Sequence, residues 1–435
     1  MRRPKSFSDT EMLAIVRLLG GLYGLDIASK LFEEHFSKTL TTMGFKRPIS
    51  DPQVFRLDKD GEFCLLSTFV DDALAAASPG SSLLDFVEKE LELTYKITVQ
   101  EDPYTHIGLK LTQNRASKSL TASQPQYIAD LSTRFQVSAT GPFPSTPMSE
   151  TYVTNTSKYA HLAQLPDDSQ TLFMEKVGCL VHLATQTRPE LMFSVTQLSC
   201  RNKRATRRDM SAVDRALRYV AGTATVGQTY CTYGLPPELC ATVDVSYKYH
   251  ADLKSHTGVS VHYGRFSTPF ISMSKKLSII ADSSTAAEFI GAHTGAQAIM
   301  WARNFLEELG FRQKGATCMY QDTSTIRLIG HKGNTGRMKH IALRYDFVRE
   351  QVCLGTIRIE HLHTTKMTAD TLTKPLGKPL FAPHAIRLLN TSPPSSDDLE
   401  AYQLSLRSLA KSSKHITLIL RLSNVHLPLR TAKLL

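Results

Sequence analysis

A chain of 435 residues is too long for one ordinary core, and its 42% hydrophobic and 21% charged content excludes wholesale disorder and a small disulfide-stapled scaffold. Lys and Arg outnumber Asp and Glu by 51 to 40, and this surplus of 11 positive charges points to a polyanionic partner or surface. Seven cysteines with no C-x-x-C pair argue against a disulfide framework or structural zinc; no apolar run is long enough to cross a bilayer, so a soluble, intracellular protein without a membrane partner is expected.

The N-terminal third mixes a helical stretch, Leu31 to Met43, with short strands in "FCLLSTFV" and "THIGLKLTQ". The first of these strands runs directly into two adjacent acids, Asp71 and Asp72. "GPFPSTPMS" (Gly141 to Ser149) interrupts with three prolines and marks a boundary or hinge near residues 140–170. From 171 to 222 the apolar spacing turns helical in "EKVGCLVHLATQT" and "RRDMSAVDRALRYVAG", with Gly222 as the stop. Between these helices "RNKRATRR" collects Arg201, Lys203, Arg204, Arg207 and Arg208. Such a cluster either tracks a nucleic-acid backbone through counterion release or is an ordinary charged loop.

After the linker "YGLPPELC" the period changes from 3.6 to 2. "ATVDVSY", "GVSVHYG" and "FSTPFISMS" predict three strands, followed by a helix from Thr285 to Leu309 with Phe289, Ala292, Ala296, Ile299 and Leu306 on one face. "ATCMYQD" predicts a fourth strand, Met338 to Val352 a helix, and "TIRIEHLHT" a fifth strand, an α/β or α+β unit of about 135 residues. Beyond Pro375 this order is expected to fail: "NTSPPSSDD" reads as disordered, and the last thirty-odd residues as amphipathic helix without a motif.

Four acids fall at strand ends or helix starts in this unit: Asp244, Glu288, Asp322 and Asp370. An acid inside an apolar strand is costly unless paired or metal-bound, and two magnesium ions about 4 Å apart on such a cluster would activate water against a phosphodiester. Each acid has a plainer reading as well. Asp244 could face solvent from an edge strand, Thr285-x-x-Glu288 fits a capping box, and Asp322 and Asp370 could cap short helices. Residue types alone leave the two readings open.

Residues 20 to about 380 resemble the C-terminal part of the polyprotein of Ty1/copia-type LTR retrotransposons, in which a reverse transcriptase precedes a ribonuclease H. The resemblance rests on "VDVSYKYHADLKSHTG", "SSTAAEF", "YQDTSTI", "RMKHIALRYDFVREQV" and "TADTLTKPL". Earlier blocks are "GGLYGL", "SDPQVF", "FVDD", "ASQPQYIADLSTRF", "STPMS", "VGCLVHLATQTRPEL" and "RALRYVAGT", all in the family's order. It implies a partial polymerase palm over residues 1–140, a helical thumb or connection over 141–235, a ribonuclease H-like domain with a five-stranded mixed sheet and flanking helices over 236–380, and a tail over 381–435 without family resemblance.

The resemblance also assigns residues. Asp244, Glu288, Asp322 and Asp370 match the four metal-ligand positions of the ribonuclease H site, which implies two Mg²⁺ ions, with Mn²⁺ as an alternative, and RNA–DNA hybrid, RNA or DNA as partners. Other segments of the retroelement polyprotein are further candidate partners, in a cytoplasmic particle or the nucleus. Ser246, Ala286 and Thr323 depart from the family pattern without removing a ligand. Lys339, His340 and Arg344 lie in a matching block and are assigned to phosphate contact, against a solvated helix face, and His361 and His363 are candidates for proton transfer or ordinary strand histidines. "FVDD" resembles the acid pair of polymerase palms, which needs a further aspartate from an earlier strand; that strand is expected to be missing here, and Ile27 stands where the family has glutamine. Asp71 and Asp72 are therefore expected to be a vestigial polymerase metal site.

Overall fold

The computed structural model describes residues 27–138, 140–153, 161–322, 342–400, 403 and 429–434. Contacts divide the chain into two compact units, Met1–Pro103 with Leu427–Leu435, and Tyr104–His426. The expected boundaries near 140 and 235 mark changes in sequence character, and neither coincides with the division between compact units, which falls after Pro103.

In the first unit, helix α1 (Ala28–Thr42) precedes a meander of β1 (Val54–Lys59), β2 (Glu62–Phe69) and β3 (Asp72–Ala77), then α2 (Leu83–Glu92) and β4 (Ile97–Glu101). The strands alternate, so Phe55, Leu57, Cys64, Leu66, Ala73, Ala75 and Ala77 share a core with Phe36 and Leu40 of α1 and Leu84, Val87 and Leu91 of α2. "DALAAA" has little intrinsic preference for a strand, and its extended state comes from pairing on both sides, with β2 and with a C-terminal strand, Leu429–Leu434. Amphipathic helix was expected over the last thirty-odd residues; most of them lie outside the described residues, and Leu429–Leu434 is a strand, because the gap it fills supplies backbone partners on both edges. β2 turns into β3 through Val70 and Asp71, with Val70 held at φ +55°, a region costly for a β-branched residue.

The second unit starts with β5 (Thr105–His106), β6 (Leu109–Asn114) and β7 (Ser119–Ser123), then helices α3 (Pro125–Arg134), α4 (Asp167–Gln186), α5 (Met192–Ser199) and α6 (Arg207–Gly222). Thr206 and Asp209 close a capping box on α6, and Phe173, Leu180, Leu183, Val213 and Leu217 fill the interior between the helices. β8 (Gln228–Cys231) returns to pair with β7.

β9 (Leu239–Ser246), β10 (His256–Tyr263) and β11 (Pro269–Lys276) form an antiparallel meander; α7 (Ser284–Glu308) crosses over, and β12 (Thr317–Gln321) joins β9 in parallel. α8 (Ala342–Cys353) leads to β13 (Ile357–His361), giving the five-stranded mixed sheet β11-β10-β9-β12-β13 with flanking helices that the sequence predicts. One sheet face presents Ala241, Val243, Val245, Val259, Val261 and Met319 to α7. The helix lies close because of two glycines: a Cβ on Gly291 would stand 2.3 Å from Val245 Cγ2, and one on Gly295 2.5 Å from Val243 Cγ2.

Order does not fail after Pro375. α9 (Lys378–Leu389) forms despite an internal Pro383, because Phe381, Ala385, Leu388 and Leu389 are buried and the helix ends on Asn390 in the left-handed conformation, φ +53°. Burial of that face outweighs the proline and the polar sequence that follows. Among the described residues no helix is long and apolar enough to cross a membrane.

Candidate metal centre

Alternation on β9 directs Thr242 and Asp244 away from α7, toward the turn Thr368–Leu372, and Asp244 is 3% exposed. The solvent-facing alternative for Asp244 is thereby excluded. β12 runs parallel beside β9, so Asp322, one residue past the strand end, arrives at the same level, and the turn contributes Asp370. One carboxylate oxygen from each of Asp244, Asp322 and Asp370 lies within 4.8 Å of the others. Strand pairing closes the distance between Asp244 and Asp322, and the packed turn brings in Asp370.

Glu288 comes from the first turns of α7. The helix is capped by Ser283, whose hydroxyl accepts from Ala286 N, so the expected Thr285–Glu288 capping box does not form. Glu288 Oε2 is instead buried without a hydrogen-bond partner, as is Asp370 Oδ1. Burial, then the charges of Asp244 and Asp322, push the Glu288 carboxyl up to about 9. Burial and Asp244 raise Asp370 to about 7, and the same two causes raise Asp322. Mutual influence of this kind places Glu288 in the electrostatic reach of the trio.

Two neighbours complete the centre that sequence reasoning did not single out. Thr373 donates its hydroxyl to Asp244 Oδ2, and Lys374 Nζ lies 3.2 Å from Asp370 Oδ2 and 3.9 Å from Asp244 Oδ2. Burial works against the lysine charge, yet Asp244 and Asp370 raise its pKa overall. The available signal was the spacing in "TADTLTKPL", where Lys374 follows Asp370 by four residues. Gln321, the residue before Asp322, is fully buried with both side-chain amide atoms unpartnered.

The Asp370 turn is pressed against β10. Ser274 Oγ donates to Leu372 O at 2.7 Å, and His256 Nε2 lies 2.8 Å from the same hydroxyl. A Cβ on Gly258 would meet Leu372 Cβ at 2.7 Å, Ala369 O at 2.8 Å and Thr373 Cγ2 at 2.9 Å, so the turn seats only on glycine. Gly258→Ala should displace the turn that carries Asp370, Thr373 and Lys374. The expected result is loss of divalent-metal affinity of about tenfold or more, with a destabilisation of about 1–3 kcal/mol, read by calorimetric Mg²⁺ titration and denaturant melts. Unchanged affinity would show that the turn does not hold the centre.

The donor set is uniformly hard oxygen, and the buried, unpartnered oxygens of Glu288 and Asp370 need a cation to offset them. Four acids face one lysine. Magnesium or manganese therefore fits, with Asp244, Glu288, Asp322 and Asp370 as holders.

The other predicted residues fall elsewhere. Lys339 and His340 lie outside the described residues; Arg344 is half-buried on α8 and adds to burial in lowering the His293 pKa. Of the basic cluster, Arg201 bonds Asp209 at 3.4 Å and Arg208 bonds the Tyr152 carbonyl and stacks 4.7 Å over its ring, whereas Lys203, Arg204 and Arg207 are exposed. His363 caps the turn Thr364–Lys366 through Thr365 N, and His361, exposed at the end of β13, lies close enough to counter slightly the rise of the Asp322 pKa. In the first unit Asp71 and Asp72 sit half-buried at the β2–β3 hairpin and belong to no metal-ligating trio among the described residues.

No protein-family model matches the chain. A retrovirus-related Pol polyprotein from transposon RE1 of Arabidopsis thaliana is 30% identical over 399 residues, 91% of this chain and 26% of that polyprotein. The transposon Ty5-1 protein of Saccharomyces cerevisiae is 30% identical over 281 residues, 63% of this chain and 86% of that protein. This chain thus spans about a quarter of the length of the plant polyprotein. A solved structure of the foamy viral protease-reverse transcriptase in complex with double-stranded DNA aligns with TM-score 0.40 and 10% identity over 77% of this chain and 49% of the other, too distant a likeness to carry an argument.

Proposed function

Because the chain belongs to the Ty1/copia-type family of retrovirus-related Pol polyproteins, we propose that Asp244, Glu288, Asp322 and Asp370 form a two-metal centre that hydrolyses the RNA strand of an RNA–DNA hybrid. The observation supporting this most strongly is the buried trio of Asp244, Asp322 and Asp370, with Glu288 raised to about 9 beside it. A carboxylate cluster whose pKa values are raised by burial and mutual repulsion is poised to exchange protons for divalent ions.

Magnesium, when bound, supplies a Lewis acid that activates water and stabilises the leaving oxygen. The chain's own residues do the rest. Asp244 on β9 and Asp322 just past the end of the adjacent parallel strand would hold the metal together with Glu288 from the helix side and Asp370 from the turn. Thr373 fixes the Asp244 carboxylate by hydrogen bond. Lys374 offsets part of the charge of Asp244 and Asp370 and would also serve a phosphate oxygen brought to the centre. Lys203, Arg204, Arg207, Arg344, Lys339 and His340 are proposed backbone contacts, and discrimination against a DNA strand would rest on 2′-hydroxyls across the wide minor groove.

Incubation of the purified chain with a labelled hybrid and magnesium tests the reading: cleavage of the RNA strand supports it, and binding without cleavage supports a second reading, an inert nucleic-acid-binding remnant. That second reading draws on Lys374, whose ammonium already pairs with Asp244 and Asp370. For the hairpin acids we propose no polymerisation, since Asp71 and Asp72 have no third carboxylate within reach among the described residues. Primer extension on an RNA template checks this; a product would favour RNA-directed DNA polymerase activity instead, as would its appearance only when an upstream segment is supplied.

A pH prediction follows from the raised carboxyls. Their protonated forms stabilise the metal-free fold below the ordinary carboxyl range, and this contribution is lost as pH rises through about 7 for Asp370 and about 9 for Glu288. The metal-free melting temperature should therefore fall between about pH 5 and about pH 9. Magnesium at a hundredfold excess over Kd should restore about 2.7 kcal/mol, with its effect larger at the alkaline end. A magnesium effect that is flat with pH would contradict proton release from the centre.

A further inference from the structure

The sheet of the first unit runs β1-β2-β3, then the C-terminal strand, then β4. β3 and β4 are joined through α2 and are both antiparallel to Leu429–Leu434, so between them they leave a gap one strand wide. An open gap would expose two rows of unpaired N–H and C=O groups. What closes it comes from far along the chain: Arg430 bonds Glu101 from 329 positions away.

Register in the gap is set by one charged side chain. Arg430 reaches Asp85 at 2.7 Å, Glu88 at 2.9 Å and Glu101 at 2.8 Å, two acids from α2 and one from β4. A slip of one residue would turn Arg430 to the opposite face and leave the three acids facing each other. Ala432 is the other residue of the strand whose surroundings are described. Ala432 pairs with Ala73 and Val99, and beneath it a cavity of about 30 Å³ remains, lined by Leu66, Ala73, Leu84, Val87 and Ile97. Attachment therefore rests on backbone ladders along both edges and on the charge anchor of Arg430.

We propose that the slot between β3 and β4 is a strand-docking site, and that Leu429–Leu434 occupies it in cis as a plug that keeps any other strand from the position beside Asp72. This inference is independent of the nuclease reading, because it concerns the other compact unit. In register, the residue opposite Asp72 is Lys433. A strand carrying an acid at that position can reach the hairpin only by displacing the tail. The slot selects for a short extended segment with an arginine three residues before its Asp72 partner, since Arg430 meets the acidic trio from Ala75's register position.

Cysteines placed at Ala73 and Ala432 of the full chain, with each single variant as control for the native thiols, test the plug. The expected outcome is an intramolecular cross-link in the monomer, located by mass spectrometry. Arg430→Glu should lower its yield about tenfold, and Glu88→Lys in the same chain should recover it, which misfolding would not do. A fluorescent peptide of residues 427–435 should bind the Arg430→Glu chain and not the wild type. Absence of the cross-link in the wild-type monomer, a cross-link formed only between two copies, or a yield indifferent to Arg430→Glu would each overturn the proposal.

Discussion

Asp244→Asn should reduce cleavage of the RNA strand by about a thousandfold or more, equivalent to about 4 kcal/mol of transition-state stabilisation, while leaving the protein folded. The amide keeps the shape of the carboxylate and can still accept from Thr373, so the position of the strand is undisturbed. What disappears is the charge at the centre of the cluster. After burial, the Asp244 charge is the largest cause of the raised pKa of Glu288, Asp322 and Asp370, so its removal should lower all three partway. The same variant should therefore melt higher than wild type without metal and gain less from magnesium. Loss of activity together with gain of metal-free stability is a paired outcome that simple structural damage does not produce. Steady-state cleavage of a labelled hybrid and thermal melts with and without magnesium supply both readouts.

The largest stability effect should come from a different place. Arg188 and Glu190 are completely buried, with Arg188 Nε 2.7 Å from Glu190 Oε1 and its other nitrogens on Thr223 O and Thr223 Oγ1 at 3.1 and 2.7 Å. The guanidinium also lies 5.6 Å from the Tyr219 ring centroid. It thus ties the segment after α4 to the end of α6. Arg188→Ala strands the Glu190 charge in the interior, and a destabilisation of about 3–5 kcal/mol is expected in urea or guanidinium melts. Replacing both residues by apolar side chains of similar volume, Arg188→Met with Glu190→Leu, should be markedly less damaging, because no charge is then left alone. If the double variant is as unstable as the single one, the pair is held for packing and its ionic character is incidental.

The sequence carries the five-stranded mixed sheet plainly, and the reason is physical. Strict alternation in "ATVDVSY" and "GVSVHYG" and the small residues along Ser284–Glu308 fix which faces meet, so a helix predicted from Thr285 to Leu309 departs from the structure by a single residue at each end. Asp244 was legible because an acid stands out in an apolar strand. Glu288 was ambiguous: Thr285 mimics a cap, and only the tertiary position of Ser283 assigns the cap elsewhere and frees the glutamate. Lys374 and Thr373 were hidden because a turn, whose geometry depends on Gly258 across the sheet, brings them to the acids. α9 and the C-terminal strand escaped for a shared reason. Both owe their conformation to partners remote in sequence, Asn390 to Thr229 and Tyr233 in one case, Arg430 to Asp85 and Glu101 in the other.

Diffraction from crystals of the chain soaked in manganese, recorded at the manganese edge, addresses the metal centre most directly. Two anomalous peaks about 4 Å apart are expected, enclosed by Asp244, Glu288, Asp322 and Asp370, with Lys374 moved off the Asp370 carboxylate. No peak among these four acids, with Lys374 still paired to Asp370 at saturating manganese, would contradict a two-metal centre.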